Sequence, residues 1–288
     1  MVKRIKSTMF SMLTVCALLL MVACGAQSTD SSAPTESTTP AAQTAKSSTD
    51  STVTPDAQQQ VELTISAAAS LTDALNELKT SYEGEHPNAK LNFNFGASGA
   101  LQRQIEQGAP ADVFISASAS NMKALVESSL VKDNKTLLEN DLVLVVPAKD
   151  GVEIKTLDDL KGDAIKKIAI GIPDSVPAGK YTKEALTNQQ LWDELEPKLV
   201  QAKDVRQVLQ YVATGNADAG FVYKTDALST TDTSISLTVD SKLHSPITYP
   251  LGIVAATSHE EDARQFYDYL QTEPALQVLE KYGFRKAE

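Results

Sequence analysis

The chain has 288 residues, of which 42% are apolar and 22% charged, with a net charge of −11. That length suffices for one large or two modest domains with proper cores, while the acidity argues against nucleic acid as a partner. It does not argue against a small anion, because a closed cleft responds to local dipoles more than to distant, salt-screened charge.

Lys3, Arg4 and Lys6 precede an apolar run over residues 9–22 that is too short to span a bilayer comfortably, which is the anatomy of a signal peptide. The run ends at Met21-Val22-Ala23-Cys24-Gly25, which resembles the lipobox of bacterial lipoproteins, with Met21 where Leu is usual. Removal of residues 1–23 and lipidation of Cys24 are therefore expected, which places the protein outside the cytoplasm, anchored to the bacterial cell membrane. The alternative is an ordinary secretory signal with incidental Cys residues. Because Cys16 leaves with the leader, the mature chain keeps Cys24 alone, and neither a disulfide framework nor a Cys-rich metal site is available. Losing three basic residues takes the net charge from −11 to −14. Residues 24–60 are rich in Ser, Thr, Pro, Ala and Gln with hardly any apolar bulk, so they cannot offset the entropy of ordering and read as a disordered tether.

Beyond the tether, strand-like and helix-like patterns alternate. Short apolar runs over residues 63–67, 91–95, 113–116, 142–146, 168–172, 219–223 and 251–255 suit buried strands. A helix is expected over residues 71–82, where Leu71, Ala74, Leu75, Leu78 and Tyr82 recur on one face. Such alternation predicts an α/β fold whose parallel sheets are flanked by helices. Ligands in such folds sit beyond the carboxyl ends of the strands.

Four segments end an apolar run at small or hydroxyl residues and then open a helix: Ser70-Leu71-Thr72-Asp73, Gly96-Ala97-Ser98-Gly99, Val176-Pro177-Ala178-Gly179 and Asp204-Val205-Arg206. The first N–H groups of a helix have no intrahelical partner and sit at the positive end of its dipole, so several such ends facing one cleft would hold an anion without a cation. Each segment also has a plainer reading. Ser70 with Asp73 makes an N-cap with a capping-box-like partner, Gly96 to Gly99 a permissive turn, Pro177 a favoured helix start and Asp204 an N-cap. Tyr223 at a strand end could be an amphipathic ring at the core edge. Arg103, Lys180, Arg206 and Lys224 lie near these segments, either as a positive funnel or as ordinary exposed charges paired with carboxylates.

Ala67-Ala68-Ala69-Ser70-Leu71-Thr72-Asp73-Ala74, Gly108-Ala109-Pro110-Ala111-Asp112, Val176-Pro177-Ala178-Gly179-Lys180-Tyr181, Asp204-Val205-Arg206 and Gly220-Phe221-Val222-Tyr223-Lys224-Thr225-Asp226-Ala227, with Phe266-Tyr267-Asp268-Tyr269-Leu270 and Lys281-Tyr282-Gly283-Phe284, resemble the molybdate-binding proteins of ABC transporters in order and spacing. The resemblance implies a two-lobed binding-protein fold of type II whose chain crosses twice between lobes, lobe one being residues 61–141 and 249–288 and lobe two residues 142–248. It implies an oxyanion held by Ser70 and Ser98 on lobe one and by Ala178, Val205 and Tyr223 on lobe two, with molybdenum bound only as its oxyanion. It also implies a monomeric receptor that takes up molybdate, and tungstate with it, for a permease and its ATPase, without a cofactor.

The residue chemistry agrees, because all five are neutral donors: two hydroxyls with their N–H groups, two backbone N–H groups and a phenol. A fully deprotonated oxyanion offers acceptors only, whereas phosphate keeps a proton near neutral pH and is best selected by a carboxylate. Receptors for another tetrahedral oxyanion such as sulfate, an envelope enzyme on the same scaffold, and a ligand-sensing subunit remain as alternatives. Against catalysis, His86, His244 and His259 are isolated, no Gly-x-Ser-x-Gly elbow surrounds Ser70 or Ser98, and no Lys follows Gly96 to Gly99 as in a phosphate-binding loop. Asp158-Asp159 and Glu260-Glu261-Asp262 read as solvated helix faces.

Overall fold

A computed structural model describes residues 60–287; the leader, Cys24 and the tether through residue 59 lie outside the described residues. The strands are β1 (Val61–Ala68), β2 (Ala89–Gly96), β3 (Val113–Ile115), β4 (Val131–Glu139), β5 (Leu142–Pro147), β6 (Ile168–Gly171), β7 (Leu199–Ala202), β8 (Ala219–Tyr223), β9 (Thr233–Thr238), β10 (Thr248–Val254) and β11 (Arg285–Lys286). The helices are α1 (Thr72–Glu85), α2 (Ser98–Glu106), α3 (Ala119–Glu127), α4 (Pro177–Asn188), α5 (Trp192–Leu195), α6 (Val205–Ala213), α7 (Lys224–Ala227), α8 (Glu260–Tyr269) and α9 (Glu273–Lys281).

The strands form two sheets, ordered β11-β4-β10-β3-β1-β2 and β7-β6-β8-β5-β9. The chain leaves the first sheet after β4, builds the second from β5 to β9, and returns at β10, so the fold is a two-lobed α/β architecture crossed twice. Both sheets are mixed. The expected parallel pairing holds for β2-β1-β3 and for β7-β6-β8. The strands next to the crossings run antiparallel, β10 against β3 and β4, and β5 against β8 and β9. A strand that enters a sheet from the other lobe needs no helical crossover, so nothing forces it to be parallel.

All seven expected strands are present; the interior ones are near-continuously buried, while β2, at the edge of its sheet, buries only Ala89 and Leu91. In β5 five of six residues are buried, and every residue of β6 and β8 is buried. Helix α1 buries Ala74, Leu75, Leu78 and Tyr82, the face anticipated from the 3.6-residue period. Four strands had no such signal. Strands β4 (VKDNKTLLE) and β9 (TSISLT) are largely exposed along their middles, β7 is an edge and β11 has two residues. Backbone ladders to β10, β5, β6 and β4 hold them, and a ladder leaves no hydrophobic period to read.

Helix α4 seats unusually close to β6. A Cβ at Gly179 would lie 2.0 Å from the Gly171 carbonyl oxygen, so only glycine lets this helix begin directly over the strand end.

Candidate functional site

Five segments of the chain leave the carboxyl ends of parallel strands and converge. Ser70 sits in a 3-10 turn, Ala69–Leu71, directly after β1; Ser98 is the first residue of α2, two residues after β2. Ala178 is the second residue of α4, Val205 opens α6 after β7, and Tyr223 is the last residue of β8. All five line one small cavity of about 200 Å³ of atom-free space between the two sheets. The space a water-sized group can occupy in it is about 10 Å³, far below the roughly 300–1,000 Å³ usual for drug-sized ligands, so the wall leaves room for a compact group only. A larger concavity of about 1100 Å³, between Ser120-Asn121 and the start of α4, is open to solvent and contains none of the five. The small cavity is the candidate site because the unpaired donors are there.

Every one of the five is buried, from 0% exposure at Ser98 and Ala178 to 4% at Val205. The residues around the cavity include no Asp, Glu, Lys, Arg or His. Ser98, Ala178 and Val205 occupy first-turn positions, where the N–H has no intrahelical acceptor and the dipole is positive. The Tyr223 hydroxyl is buried without a hydrogen-bond partner among the described residues, and burial raises its pKa well above the ordinary tyrosine value, so it remains an O–H donor. An orphaned buried hydroxyl costs free energy unless something accepts from it.

The plain readings divide. Asp204 does cap α6, accepting from Gln207 N at 2.8 Å, and Pro177 does open α4. Ser70, however, is not a cap: no side chain caps α1, and its Oγ is instead 2.8 Å from the Tyr249 hydroxyl. Its supposed capping partner, Asp73, reaches across the cleft to Arg206, whose Nη2 is 2.6 Å away. Arg206 Nε is also 2.8 Å from the carboxylate of Asp226. Burial raises Asp226 to about 7, and the Arg206 charge opposes that rise. The Arg206 charge is thus engaged by two carboxylates, while Arg103 and Lys224 are exposed and Lys180 lies 3.9 Å from Glu184. The two sides also meet through Gly99 N, which donates to the Ser175 carbonyl at 3.0 Å, and through Lys180 Nζ, 3.3 Å from Ser120 Oγ.

Two mixed sheets crossed twice, with helix starts converging on one cavity between them, form the frame of a receptor for small solutes. The model of the bacterial extracellular solute-binding protein family matches residues 63–285. The chain belongs to that family. This solute-binding protein is 50% identical over 231 residues to YvgL of Bacillus subtilis, a lipoprotein assigned as the substrate-binding component of an ABC transporter, covering 80% of this chain and 88% of YvgL. It is 40% identical over 230 residues to the molybdate-binding protein ModA of Haemophilus influenzae, covering 77% and 89% of the two chains. In fold it is similar to the periplasmic molybdate-binding protein of Azotobacter vinelandii, with a TM-score of 0.72 at 24% identity, over 78% of this chain and 100% of that one.

Sequence reasoning missed a layer behind the cavity of this solute-binding protein. Tyr249 and Asn140 are both buried; the Asn140 amide nitrogen lies 3.2 Å from the Tyr249 hydroxyl and 2.9 Å from Thr225 Oγ1. The Ala117 N–H donates to Ser98 Oγ at 2.9 Å. Tyr249, Asn140 and Ala117 belong to none of the segments singled out in the sequence, so no local signal marked them. The histidines have ordinary structural settings: His86 stacks on Tyr82, His244 lies by Tyr181, and His259 Nδ1 is 3.4 Å from Asp112.

Proposed function

We propose that this protein captures molybdate, and tungstate with it, outside the cytoplasm and delivers it to an ABC permease driven by an ATPase. The observation that carries the reading is the cavity bounded by Ser70, Ser98, Ala178, Val205 and Tyr223: buried, without a charged side chain, and supplied with neutral donors. A dianion whose oxygens only accept matches that wall, and a relative named for molybdate binding is 40% identical over 77% of this chain. In this reading the protein works as a monomer without a cofactor and carries out no chemical step.

Residues 61–141 and 249–288 form lobe one, and residues 142–248 form lobe two. Because the donors are buried, ligand enters when the lobes part and is held when they close, with water expelled and the hydrogen bonds completed. The closed shape is what the permease recognises. Ligand that binds only the folded protein stabilises it by RT ln(1 + [L]/Kd), about 2.7 kcal/mol at a hundredfold excess over Kd. Thermal denaturation and calorimetric titration are expected to show strong stabilisation by molybdate and tungstate, less by sulfate and little by phosphate. Phosphate stabilising as strongly as molybdate would overturn the reading.

Cys24 carries the lipid in this proposal, supported by the leader, the lipobox-like sequence and the lipoprotein relative. Cys24→Ala is expected to abolish labelling by a fatty-acid analogue and to shift processing, while binding by the soluble part stays intact. Persistent labelling of that variant would place the anchor elsewhere.

A further inference from the structure

The two serine hydroxyls of the cavity are oriented from behind, and the hydrogen bonds determine in which direction. The Asp141 N–H can only donate, and it lies 2.9 Å from Asn140 Oδ1, so the amide oxygen is on that side. The amide nitrogen therefore faces Thr225 Oγ1 at 2.9 Å and the Tyr249 hydroxyl at 3.2 Å, which uses both of its hydrogens. Tyr249 accepts from Asn140, and its own proton points to Ser70 Oγ, 2.8 Å away. Tyr249 is fully buried and desolvation keeps its hydroxyl protonated. Ser70 Oγ, accepting from Tyr249, is left with its proton for the cavity. Ser98 arrives at the same state by a shorter route, because its Oγ accepts from the Ala117 N–H. Tyr223, the remaining hydroxyl, has the poorer acceptor, since its oxygen shares electron density with the ring.

We propose that Asn140 and Tyr249 are specificity-determining positioning residues: the ordered chain Asn140 to Tyr249 to Ser70 holds the Ser70 hydroxyl as a donor into the cavity, so the site discriminates against tetrahedral oxyanions that still carry a proton. This rests on the cavity being the oxyanion site. A protonated anion needs an acceptor in the wall, and a serine whose lone pair is already occupied from behind supplies a poor one. The discrimination is therefore built by two residues that do not line the cavity.

The test uses selenate and hydrogen arsenate, which are nearly equal in size and differ in that arsenate keeps a proton near neutral pH. Both are measured by calorimetric competition against molybdate in the wild type and in Tyr249→Phe. The phenylalanine ring keeps the edge contacts with Tyr223 and Phe284, whose centroids are 5.9 and 5.2 Å away, but frees the Ser70 hydroxyl to turn. Molybdate and selenate are expected to weaken by about threefold to tenfold, the scale of one misdirected hydrogen bond to a charged ligand, while arsenate holds or tightens. Asn140→Asp goes further: its carboxylate can only accept, so Tyr249 turns toward it, Ser70 donates to Tyr249, and the preference shifts further toward arsenate. Should that variant fail to fold, Tyr249→Phe decides alone. An unchanged selenate-to-arsenate ratio, or equal weakening of both, would show that Tyr249 only packs and would overturn the relay. A wild type that binds neither molybdate nor selenate would instead remove the functional reading, and the relay with it.

Discussion

Gly99→Ala is expected to weaken molybdate binding on the order of tenfold to a hundredfold while leaving the unliganded protein as stable as before, or slightly more so. Gly99 is the second residue of α2, where alanine is the better helix former by roughly 0.5–1 kcal/mol. Its constraint comes from the other lobe. A Cβ there would lie 2.7 Å from the Ser175 carbonyl oxygen and 3.0 Å from Ser175 Cα, both main-chain atoms that cannot swing aside. Relief requires the lobes to stay further apart, which lengthens the 3.0 Å bond from Gly99 N to Ser175 O and spreads the donors of Ser98 and Ala178. Overpacking of this kind costs about 1–3 kcal/mol, and here the cost falls on the closed form alone. Calorimetric titration alongside thermal melting of the ligand-free protein checks both halves. Unchanged affinity would mean that closure is looser than the Gly99–Ser175 contact implies.

Ser98→Ala and Tyr223→Phe are expected to weaken binding to a similar extent and to differ in what they do to the empty protein. In the proposed site each removes one hydroxyl donor to a charged ligand, typically about 1.5–3 kcal/mol, hence on the order of tenfold to a hundredfold in Kd. Ser98 also accepts the buried Ala117 N–H, so its loss leaves that group unpaired and costs the ligand-free fold about 1–3 kcal/mol more. Tyr223 has no such duty. Its hydroxyl is buried without a partner among the described residues, so phenylalanine should leave the ligand-free melting temperature the same or raise it. Chemical denaturation of both variants, with and without molybdate, separates the two effects. Tyr223→Phe binding molybdate as tightly as the wild type would show that the phenol is a core ring and not a donor to the ligand.

The seven expected strands, the apolar stripe of α1 and the Asp204 cap were legible in the sequence because each is a local pattern: a run, a 3.6-residue period, a polar residue before a helix. The five cavity residues were legible for a related reason. A donor at a strand end or helix start belongs to a short segment that can be recognised whole, as with Val176-Pro177-Ala178-Gly179. Strands β4 and β9 were not, since backbone pairing holds them and polar residues such as Asp133, Asn134 and Lys135 carry no hydrophobic period. The partners of the site residues were decided only by the tertiary structure. Ser70 meets Tyr249 across 179 positions of sequence, Asp73 meets Arg206 across 133, and Asn140 meets Tyr249 across 109. Which hydroxyl donates and which accepts is a property of such distant pairs, so sequence determined the inventory of donors by itself. The direction in which they point required the two crossings that bring β10 back beside the first lobe.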